Sequence, residues 1–293
     1  MNEMYLSMCK KLSEKRLKEQ VVKPVDYYDE DGLLVCGVCG EHRQFFQEVS
    51  LEKPGKESVK TCFKTTKSCR CDNEAELKRL ESERYEHDCE YVANLKKESM
   101  IDPKFATASF DDFQITKYND RNCKLCKRYA TAFDIMLAKN QGLLLWGPVG
   151  TGKSYAAACI ANYLMEHKHS VVIVSFVKMM EMSPEMFDSI LLKIQYASLV
   201  IFDDLGAERD TSFAFEKVYS VIDTRYKRGL PMIFTTNLTL TEMQTEKEIR
   251  RARIYDRILE ACSYPMQFTG PSFRKNIAYE RFNEMKDFFA DIE

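Results

Sequence analysis

The sequence lacks several features that would place it in a particular class at once. It contains no continuous apolar run of about 18 residues, so we expect no membrane-spanning helix. Its first twenty residues lack the continuous apolar segment of a secretory signal peptide. It also lacks an excess of one charge, since the formal net charge is −2, and any nucleic-acid surface must therefore be a local patch. These absences lead us to expect a protein of the cytosol.

Cysteine, by contrast, is abundant, with eleven residues in a chain of 293. In a reducing compartment thiols are more often metal ligands, core residues or redox groups than disulfides. Two short pairs stand out near the amino terminus, because Cys36 and Cys39 form a C-x2-C pair and Cys69 and Cys71 form a C-x-C pair. Four thiolates from two separated pairs suit a tetrahedral structural Zn²⁺ site. The sequence therefore predicts a zinc module.

Alternatives to this zinc site stay open at the level of sequence. Cys62 and His42 are alternative ligands, and a redox dithiol or unliganded thiols are the rival interpretations. A turn-rich segment with little apolar content nevertheless needs a staple in order to fold, which favours zinc. Basic residues around the pairs either contact DNA or a partner, or form a solvated rim: Lys60, Lys64, Lys67 and Arg70.

A second C-x2-C pair, Cys123 and Cys126, is interpreted differently. No other cysteine pair lies near it in the sequence, and the segment has a helical pattern in which both thiols share one face. We expect these two thiols, and also Cys159, to be buried packing residues.

Changes in composition and periodicity divide the chain into four segments. We predict an amino-terminal helix within residues 1–30, the Cys-rich module at 31–73, a linking helix at 74–99 and one large domain at 100–293. The linking helix is rich in opposed charges and its apolar stripe is thin, which indicates a solvated helix. Pro103 breaks that helical pattern and places the last boundary near residue 100.

The large domain alternates between strand and helix patterns. A helix is expected at roughly 118–139, and apolar strands are expected at 143–146, 170–176, 199–204 and 231–237. Helical patterns separate these strands. Such alternation predicts an α/β fold, in which a parallel sheet is flanked by helices.

A phosphate-binding loop follows the first of these strands, in "LLLWGPVGTGKSY". Its glycines allow a tight turn that points N–H groups at phosphate oxygens, and the following helix adds its positive end. Lys153 can reach the β- and γ-phosphates, and the Ser154 hydroxyl suits Mg²⁺. The residues expected to contact ATP are Gly147, Pro148, Val149, Gly150, Thr151, Gly152, Lys153, Ser154 and Tyr155.

Polar residues end the third and fourth predicted strands of the large domain, at 199–204 and 231–237. Asp203 leaves "LVIFDD" at the carboxyl end of its strand, where open α/β sheets bind ligands, and a carboxylate there can hold Mg²⁺. Asp204 could polarise the water that attacks the γ-phosphate. Asn237 ends "FTTN"; such a residue is usually a turn former, but beside the two other motifs it indicates an amide near the γ-phosphate.

Five segments, taken together, resemble one family. They are "GPVGTGKSYAAACIANYL", "LVIFDDLGAER", "FEKVYSVIDTRYKRGLPMIFTTNLTL", "RIYDRILEAC" and "GPSFR". Their order and spacing resemble the DnaC/IstB-type ATPases of the AAA+ class, and more narrowly the bacterial and phage helicase loaders of the DnaC type. The resemblance covers about residues 100–280. It implies an AAA+ P-loop NTPase fold for the large domain.

The resemblance also implies roles by position. Walker A spans Gly147 to Ser154, Walker B is Asp203 and Asp204, and sensor 1 is Asn237. Arg257, in "YDRI", matches the arginine finger that such proteins present to a neighbour's ATP. Arg274, in "SFR", matches sensor 2, which contacts nucleotide in its own subunit. The segment "RRARIYDR" offers three rivals for the finger, namely Arg250, Arg251 and Arg253.

The function implied is ATP-dependent loading of a replicative DnaB-type helicase onto single-stranded DNA. The amino-terminal part would grip the helicase, and the ATPase domain would self-associate. Asp204 stands where many AAA+ proteins have Glu, and its shorter reach favours slow hydrolysis and a switch-like use of ATP. Two alternatives remain: an IstB-type transposition helper, which would bind duplex DNA and a transposase, and an adaptor that binds ATP without meaningful turnover.

Overall fold

The computed structural model describes residues 2–53, 56–207 and 211–289. Contacts divide the chain into two compact units, residues 1–88 and 89–293. The division falls inside a long helix, and the domain boundaries predicted from the sequence remain predictions. In the described part of the chain, none of the helices combines the length and the apolar character needed to cross a membrane.

The first unit consists of a helix packed on a long antiparallel ribbon, with a smaller strand pair beside it. Its elements are α1 (Asn2–Glu19), β1 (Tyr27–Tyr28), β2 (Leu34–Val35), β3 (Gln44–Lys53), β4 (Lys56–Thr66) and the first part of α2 (Arg70–Glu98). Strands β3 and β4 pair antiparallel from Gln44 opposite Thr66. Helix α1 lies against β4, where the Ser13 hydroxyl donates to the Lys64 carbonyl at 2.6 Å.

The ribbon was not expected from the sequence, which we interpreted as turn-rich across this segment. A half-buried strand is recognised by alternation of apolar and polar residues. In β3, however, the consecutive side chains from Phe45 to Glu48 are all exposed, so the ribbon shows no such alternation. Helix α2 agrees with the prediction of a solvated helix, because none of its residues, all of which are described, is buried.

The second unit is a parallel sheet between helical layers. Its elements after the end of α2 are α3 (Asp120–Thr131), α4 (Phe133–Ala138), β5 (Leu143–Trp146), α5 (Lys153–Glu166), β6 (Val171–Ser175), α6 (Phe176–Met180), α7 (Pro184–Tyr196), β7 (Leu199–Leu205), α8 (Ser212–Arg228), β8 (Met232–Thr236), α9 (Leu240–Gln244), α10 (Ile249–Ala261), β9 (Pro265–Gln267) and α11 (Phe273–Phe289). The strand order is β6-β7-β8-β5-β9, and every pairing is parallel. The α/β fold predicted from the sequence, a parallel sheet flanked by helices, is confirmed.

The core lies on both faces of this sheet. Successive residues of β5 face opposite ways, and Leu145 joins the apolar cluster under α3 and α5 while Leu144 joins the cluster under α7, α8 and α10. On the second face the rings of Phe176, Phe202 and Phe234 stack, with centroids 5.4 and 4.9 Å apart. Burial on both faces explains why the strands have continuous apolar sequences.

The main differences from the predicted elements lie at short segments. The helix expected at 118–139 is two helices, because Ala132 leaves the helical region at φ −108° and ψ 24°. Strand β9 has three residues, too few for a periodic signal. Cys123 and Cys126 lie on the buried face of α3 and Cys159 is buried in α5, so their predicted role as packing residues is confirmed.

A buried arginine joins α8 to the ends of three other elements. The Arg225 guanidinium donates to the carbonyls of Ile194, Ala197, Ser198 and Pro231 at 2.6–3.1 Å. Burial lowers the pKa of Arg225 to about 10. Two of these carbonyls belong to the last turn of α7 and its cap, whose oxygens have no partner within the helix.

Replacing Arg225 with Met is expected to destabilise this unit by about 2–4 kcal/mol. Each buried carbonyl left without a donor costs about 1–3 kcal/mol, although removing a buried cation recovers part of that loss. Urea unfolding can be followed by the single tryptophan, Trp146, because it lies in β5 and reports on this unit. Arg228→Met, on the exposed end of α8, is the matched control. Equal stability of the two variants would contradict the prediction.

Candidate nucleotide-binding site

The phosphate loop connects β5 to α5 in a conformation that requires glycine. Gly147, Gly150 and Gly152 have φ values of 133°, 80° and 96°, which L side chains rarely adopt. Space is also restricted, because a Cβ at Gly147 would lie 2.1 Å from the Phe268 carbonyl oxygen and one at Gly150 would lie 2.1 Å from the Ser272 hydroxyl. The loop is thus held closely by the segment that follows β9.

A cavity of about 300 Å³ opens at this loop. Its lining includes many of the residues expected at an ATP site, namely Val149, Gly150, Gly152, Lys153, Ser154, Tyr155, Asp204, Asn237 and Arg274. Five other predicted residues are not part of this lining: Gly147, Pro148, Thr151, Asp203 and Arg257. The Thr151 hydroxyl donates to the Pro148 carbonyl at 2.8 Å, within the loop itself. The cavity therefore brings together predicted site residues that are up to 125 positions apart in the chain (Val149 to Arg274).

The Lys153 ammonium group lies at the centre of the polar end of the cavity. It donates to the carbonyls of Gly147 and Pro148 at 2.7 and 2.8 Å and to the side-chain oxygen of Asn237 at 2.9 Å. Burial lowers the pKa of Lys153, and the nearby carboxylate of Asp204 acts in the opposite direction. Lys153 and Asn237, which follows β8, are therefore in direct contact, close enough together to bind the same phosphate group.

The two aspartates at the end of β7 differ in their surroundings. Asp204 lines the cavity and accepts from the Asn237 amide at 3.3 Å. Asp203 is not part of the lining, and its carboxylate accepts from the Thr235 hydroxyl at 2.6 Å. Thr235 was not among the site residues predicted from the sequence. The only signal available was the position of a hydroxyl residue inside the apolar strand that ends at Asn237.

An aromatic end of the cavity was also missed. Residues before α3 and at the start of α11 complete the lining, namely Phe105, Asp112, Phe113, Gln114, Phe273 and Ile277. The rings of Phe105 and Phe113 pack edge-on against Tyr155, with centroids 6.2 and 5.5 Å away. Apolar and aromatic walls with a few polar groups are typical of a site for a planar ring. The density of Phe in "FATASFDDF" was the available signal.

The two arginines assigned by resemblance lie in different places. Arg274 lines the cavity, and the neighbouring backbone N–H of Phe273 donates to the Gly150 carbonyl at 2.9 Å, which anchors α11 on the phosphate loop. Arg257 is not among the lining residues. Its guanidinium pairs with Asp223 at 2.5 Å and lies over the rings of Tyr219 and Tyr226. Of its three rivals, Arg251 is half-buried beside Glu248, whereas the other two are exposed: Arg250 and Arg253.

In the first unit, the four predicted zinc ligands converge. The sulfur atoms of Cys36, Cys39, Cys69 and Cys71 all lie within 4.8 Å of one another. The Cys71 sulfur is 3.4 Å from that of Cys36 and 3.3 Å from that of Cys69. A tetrahedral ion with metal–sulfur bonds of about 2.3 Å needs sulfur atoms about 3.8 Å apart. The donor set and its spacing fit, and these thiols could hold a metal ion.

The alternative ligands are not part of this cluster. Cys62 is exposed on β4, opposite Glu48, and the His42 ring nitrogen pairs with Asp29 at 2.7 Å. Among the described residues, the metal-ligating group comprises the four cysteines alone. Backbone N–H groups of Cys39 and then Val38 lower the pKa of Cys36 to about 6, which favours the thiolate form that metals bind.

A buried ion pair fixes the second cysteine pair. The Arg43 side chain, which is 9% exposed, pairs with Asp26 and also contacts Asp72 at 2.9 Å. Asp72 follows Cys71 directly and also accepts from Lys23. The start of α2 is therefore tied to the segment before β1 through Lys23 and Asp26, and to Arg43 just before β3, which keeps both cysteine pairs at one place.

The parallel sheet, the glycine loop between β5 and α5 and the acidic strand end define a P-loop nucleotide-binding protein. The family model described as "IstB-like ATP binding protein" matches residues 64–280. The chain belongs to this family. The resemblance to DnaC/IstB-type ATPases stated from the sequence motifs is thus confirmed.

Two of the relatives with similar sequences are each named a replicative helicase loader. The replicative helicase loader DnaI of Bacillus subtilis is 30% identical over 151 residues, which cover 46% of this chain and 48% of that protein, or about half of its length. The replicative helicase loader DnaC of Buchnera aphidicola subsp. Schizaphis graminum is 24% identical over 254 residues, which cover 82% of this chain and 99% of that protein. The solved structure of a putative primosome component from Streptococcus pyogenes serotype M3 is 20% identical to this chain, with a TM-score of 0.50. The match covers 61% of this chain and 97% of that one, and it supports the fold alone.

Proposed function

We propose that the protein is an ATP-dependent loader that places a replicative DnaB-type helicase on single-stranded DNA. The observation that carries this proposal is the alignment with a replicative helicase loader over 99% of that relative's length, across the nucleotide cavity described above. A role of this kind would be exercised in the cytoplasm, which agrees with the expectation from the sequence.

The cavity supports binding and slow hydrolysis of ATP. The aromatic end would hold the base, and the phosphate loop from Gly147 to Ser154 would hold the phosphates, with Lys153 at the β/γ position. Mg²⁺ would neutralise phosphate charge, and Ser154 and Asp203 have the oxygen ligands it prefers. Asp204 and Asn237, which contact each other, would orient the attacking water.

Two arginines would act on the γ-phosphate from different subunits. Arg274 lines the cavity and would contact nucleotide in its own subunit. Arg257 lies away from that cavity and would act on the neighbour's ATP when subunits self-associate on DNA. Because Asp204 is shorter than Glu, hydrolysis would be slow, and ATP would organise an assembly that hydrolysis releases.

The Cys module would provide the contact with the helicase. We propose that the ion held by the four cysteines is Zn²⁺, since four thiolates in a tetrahedral set are its usual structural ligands. The first unit also presents exposed aromatic side chains, including Tyr27, Tyr28 and Phe46. Aromatic residues are enriched in protein interfaces.

A second candidate follows from the name of the matching family, "IstB-like ATP binding protein". A transposition helper of that type would use the same ATP site but would bind duplex DNA and a transposase. A nucleotide-dependent adaptor without turnover is the third possibility. Hydrolysis that stays absent with both DNA and helicase, together with indifference to Asp204→Asn, would favour the adaptor.

Co-elution of the purified protein with the host's replicative helicase tests the proposal. We expect a complex whose stability differs between ATP and ADP, because the nucleotide is proposed to control assembly. Lys153→Ala should abolish the difference between nucleotides, and the double variant Cys36→Ser/Cys39→Ser should lose the complex itself. If no complex forms with either nucleotide, the loader proposal is wrong and a transposase becomes the next partner to test.

A further inference from the structure

One hydroxyl group contacts both aspartates at the end of β7. Thr235 lies in β8 and is fully buried, with 0% of its surface exposed. Its oxygen is 2.6 Å from a carboxylate oxygen of Asp203 and 2.9 Å from the backbone nitrogen of Asp204. The direction of both hydrogen bonds is fixed. The backbone N–H can only donate, so the hydroxyl oxygen accepts there and directs its single proton to the Asp203 carboxylate.

The backbone that this hydroxyl holds is unusual. Asp204 has φ 63°, in the left-handed region that residues other than glycine adopt uncommonly. The pairing of β7 with β8 also shifts register between Phe202 and Leu205, so Asp204 lies in an irregularity of the ladder. At this point the Thr235 side chain accepts the hydrogen bond that a strand carbonyl would accept in a regular ladder.

At this irregularity the two carboxylates have different surroundings. In a regular strand, consecutive side chains point to opposite faces of the sheet. Here Asp204 lines the nucleotide cavity and contacts Asn237, while Asp203 keeps its carboxylate on Thr235. Strained backbone that the surrounding structure holds in place is a feature of functional sites. The same hydroxyl therefore sets the backbone of one aspartate and the carboxylate orientation of the other.

We propose that Thr235 is a positioning residue for the Asp203–Asp204 pair. If the protein hydrolyses ATP as proposed above, Thr235 orients the Asp203 carboxylate for Mg²⁺. It also holds Asp204 in the conformation that brings the Asp204 carboxylate to the attacking water. Thr235 acts through the two aspartates and does not line the cavity itself. Removing its hydroxyl would leave the Asp203 oxygen without its donor and the strained Asp204 backbone without its acceptor.

The neighbouring residue provides a matched control. Thr236 is also in β8 and also fully buried, but its hydroxyl donates to the Leu205 carbonyl at 2.8 Å and accepts from the Leu238 N–H at 3.1 Å. It contacts neither aspartate through these bonds. Thr→Val at each position keeps the shape of the side chain and removes one buried hydroxyl. Comparing the two variants therefore separates general destabilisation from a specific effect on Asp203 and Asp204.

The test compares Thr235→Val, Thr235→Ser and Thr236→Val in the full chain. A fluorescent ATP analogue gives nucleotide affinity with Mg²⁺ and with EDTA, and steady-state hydrolysis is measured with single-stranded DNA present. For Thr235→Val we expect the affinity gained from Mg²⁺ and the turnover each to fall about 10–100-fold, the range found when outer-shell partners of metal ligands are removed. Affinity in EDTA should change by less than about two-fold, because the phosphate loop and the aromatic end are intact.

Rescue by the conservative variant distinguishes positioning from packing. Thr235→Ser keeps the hydroxyl and should retain Mg²⁺ dependence within about three-fold of the wild type, while losing some stability to the missing methyl group. Three outcomes would overturn the inference: normal Mg²⁺ dependence and turnover in Thr235→Val, equal impairment in Thr236→Val, or no rescue by Ser. A wild-type protein whose nucleotide affinity does not respond to Mg²⁺ would instead overturn the proposed ATPase function, and the inference with it.

Discussion

Chelation of the Zn²⁺ proposed to be held by the four cysteines, or loss of any one of these thiols, is expected to unfold the Cys module and leave the nucleotide unit folded. The reason is the size of the module's core. Among the described residues of the first unit, the buried apolar side chains are Leu34, Val35, Cys36 and Cys69. Half of this core consists of the proposed ligands. A unit with so few buried apolar groups needs a metal staple to offset the entropy of folding.

The experiment has two readouts on one sample. Elemental analysis of the purified protein should give one zinc per chain, and Cys69→Ser should reduce it to near zero. Limited proteolysis after chelation should cleave the first unit, while Trp146 fluorescence shows that the sheet of the second unit is intact. Cys62→Ser is the matched control, since this cysteine is exposed and lies outside the cluster.

Two results would contradict the prediction. One is a protein that contains no metal and yet resists proteolysis in the first unit, which would favour unliganded thiols. The other is a chelation effect shared equally by the Cys62→Ser control and Cys69→Ser, which would mean that the metal is held elsewhere. A redox dithiol would be indicated if oxidation and reduction, without any metal, changed the protease resistance of the module.

The parts of the fold that could be predicted are those that depend on local chemistry. The β5 strand was predicted to the residue and the phosphate loop was recognised directly after it, because an apolar run and a glycine pattern follow one another in the sequence. The spacing of the cysteines likewise grouped Cys36, Cys39, Cys69 and Cys71, whose sulfur atoms lie within 4.8 Å of one another, while their role as zinc ligands stays a prediction. In both cases the signal lies within a short stretch of sequence.

What could not be predicted depends on contacts between distant segments. Thr235 is one Thr of a "TT" pair, and its role is visible only when β7 and β8 are aligned in register. Phe105 and Phe113 reach the cavity through an irregular segment with no periodicity. Likewise, nothing near Arg257 in the sequence indicates Asp223, a partner from a different helix. Such contacts follow from the tertiary fold, which local patterns do not encode.

Arg257→Ala is expected to reduce the rate of ATP hydrolysis by the assembled subunits about 10³-fold or more. This is the effect of removing an arginine that stabilises the transition state of phosphoryl transfer. Nucleotide affinity should stay unchanged, because Arg257 does not line the cavity of its own subunit. The Arg257 side chain is only 24% exposed, and the position of its guanidinium is set by Asp223 together with the rings of Tyr219 and Tyr226, whose centroids are 5.0 and 5.4 Å away. These contacts restrict a flexible side chain and lower the entropy cost of placing it at a subunit interface.

Mixing variant subunits tests whether this arginine acts across an interface. Lys153→Ala lacks a working phosphate loop but keeps Arg257, whereas Arg257→Ala keeps the loop and lacks the arginine. Each variant alone should be inactive, and a mixture should regain hydrolysis, because a Lys153→Ala subunit can present Arg257 to an intact neighbouring site. An arginine acting within its own subunit would give no such recovery.

The exposed Arg253 on the same helix is the matched control and the main rival. If Arg253→Ala abolishes hydrolysis and complements Lys153→Ala while Arg257→Ala does neither, the assignment by resemblance is wrong. The ion pair with Asp223 would then have a structural role, and Arg257→Ala should lower the stability of the second unit instead. Asp223→Asn separates these cases further. It should weaken hydrolysis and complementation if Asp223 orients a trans-acting arginine, but it should affect only unfolding if the pair simply joins α8 to α10.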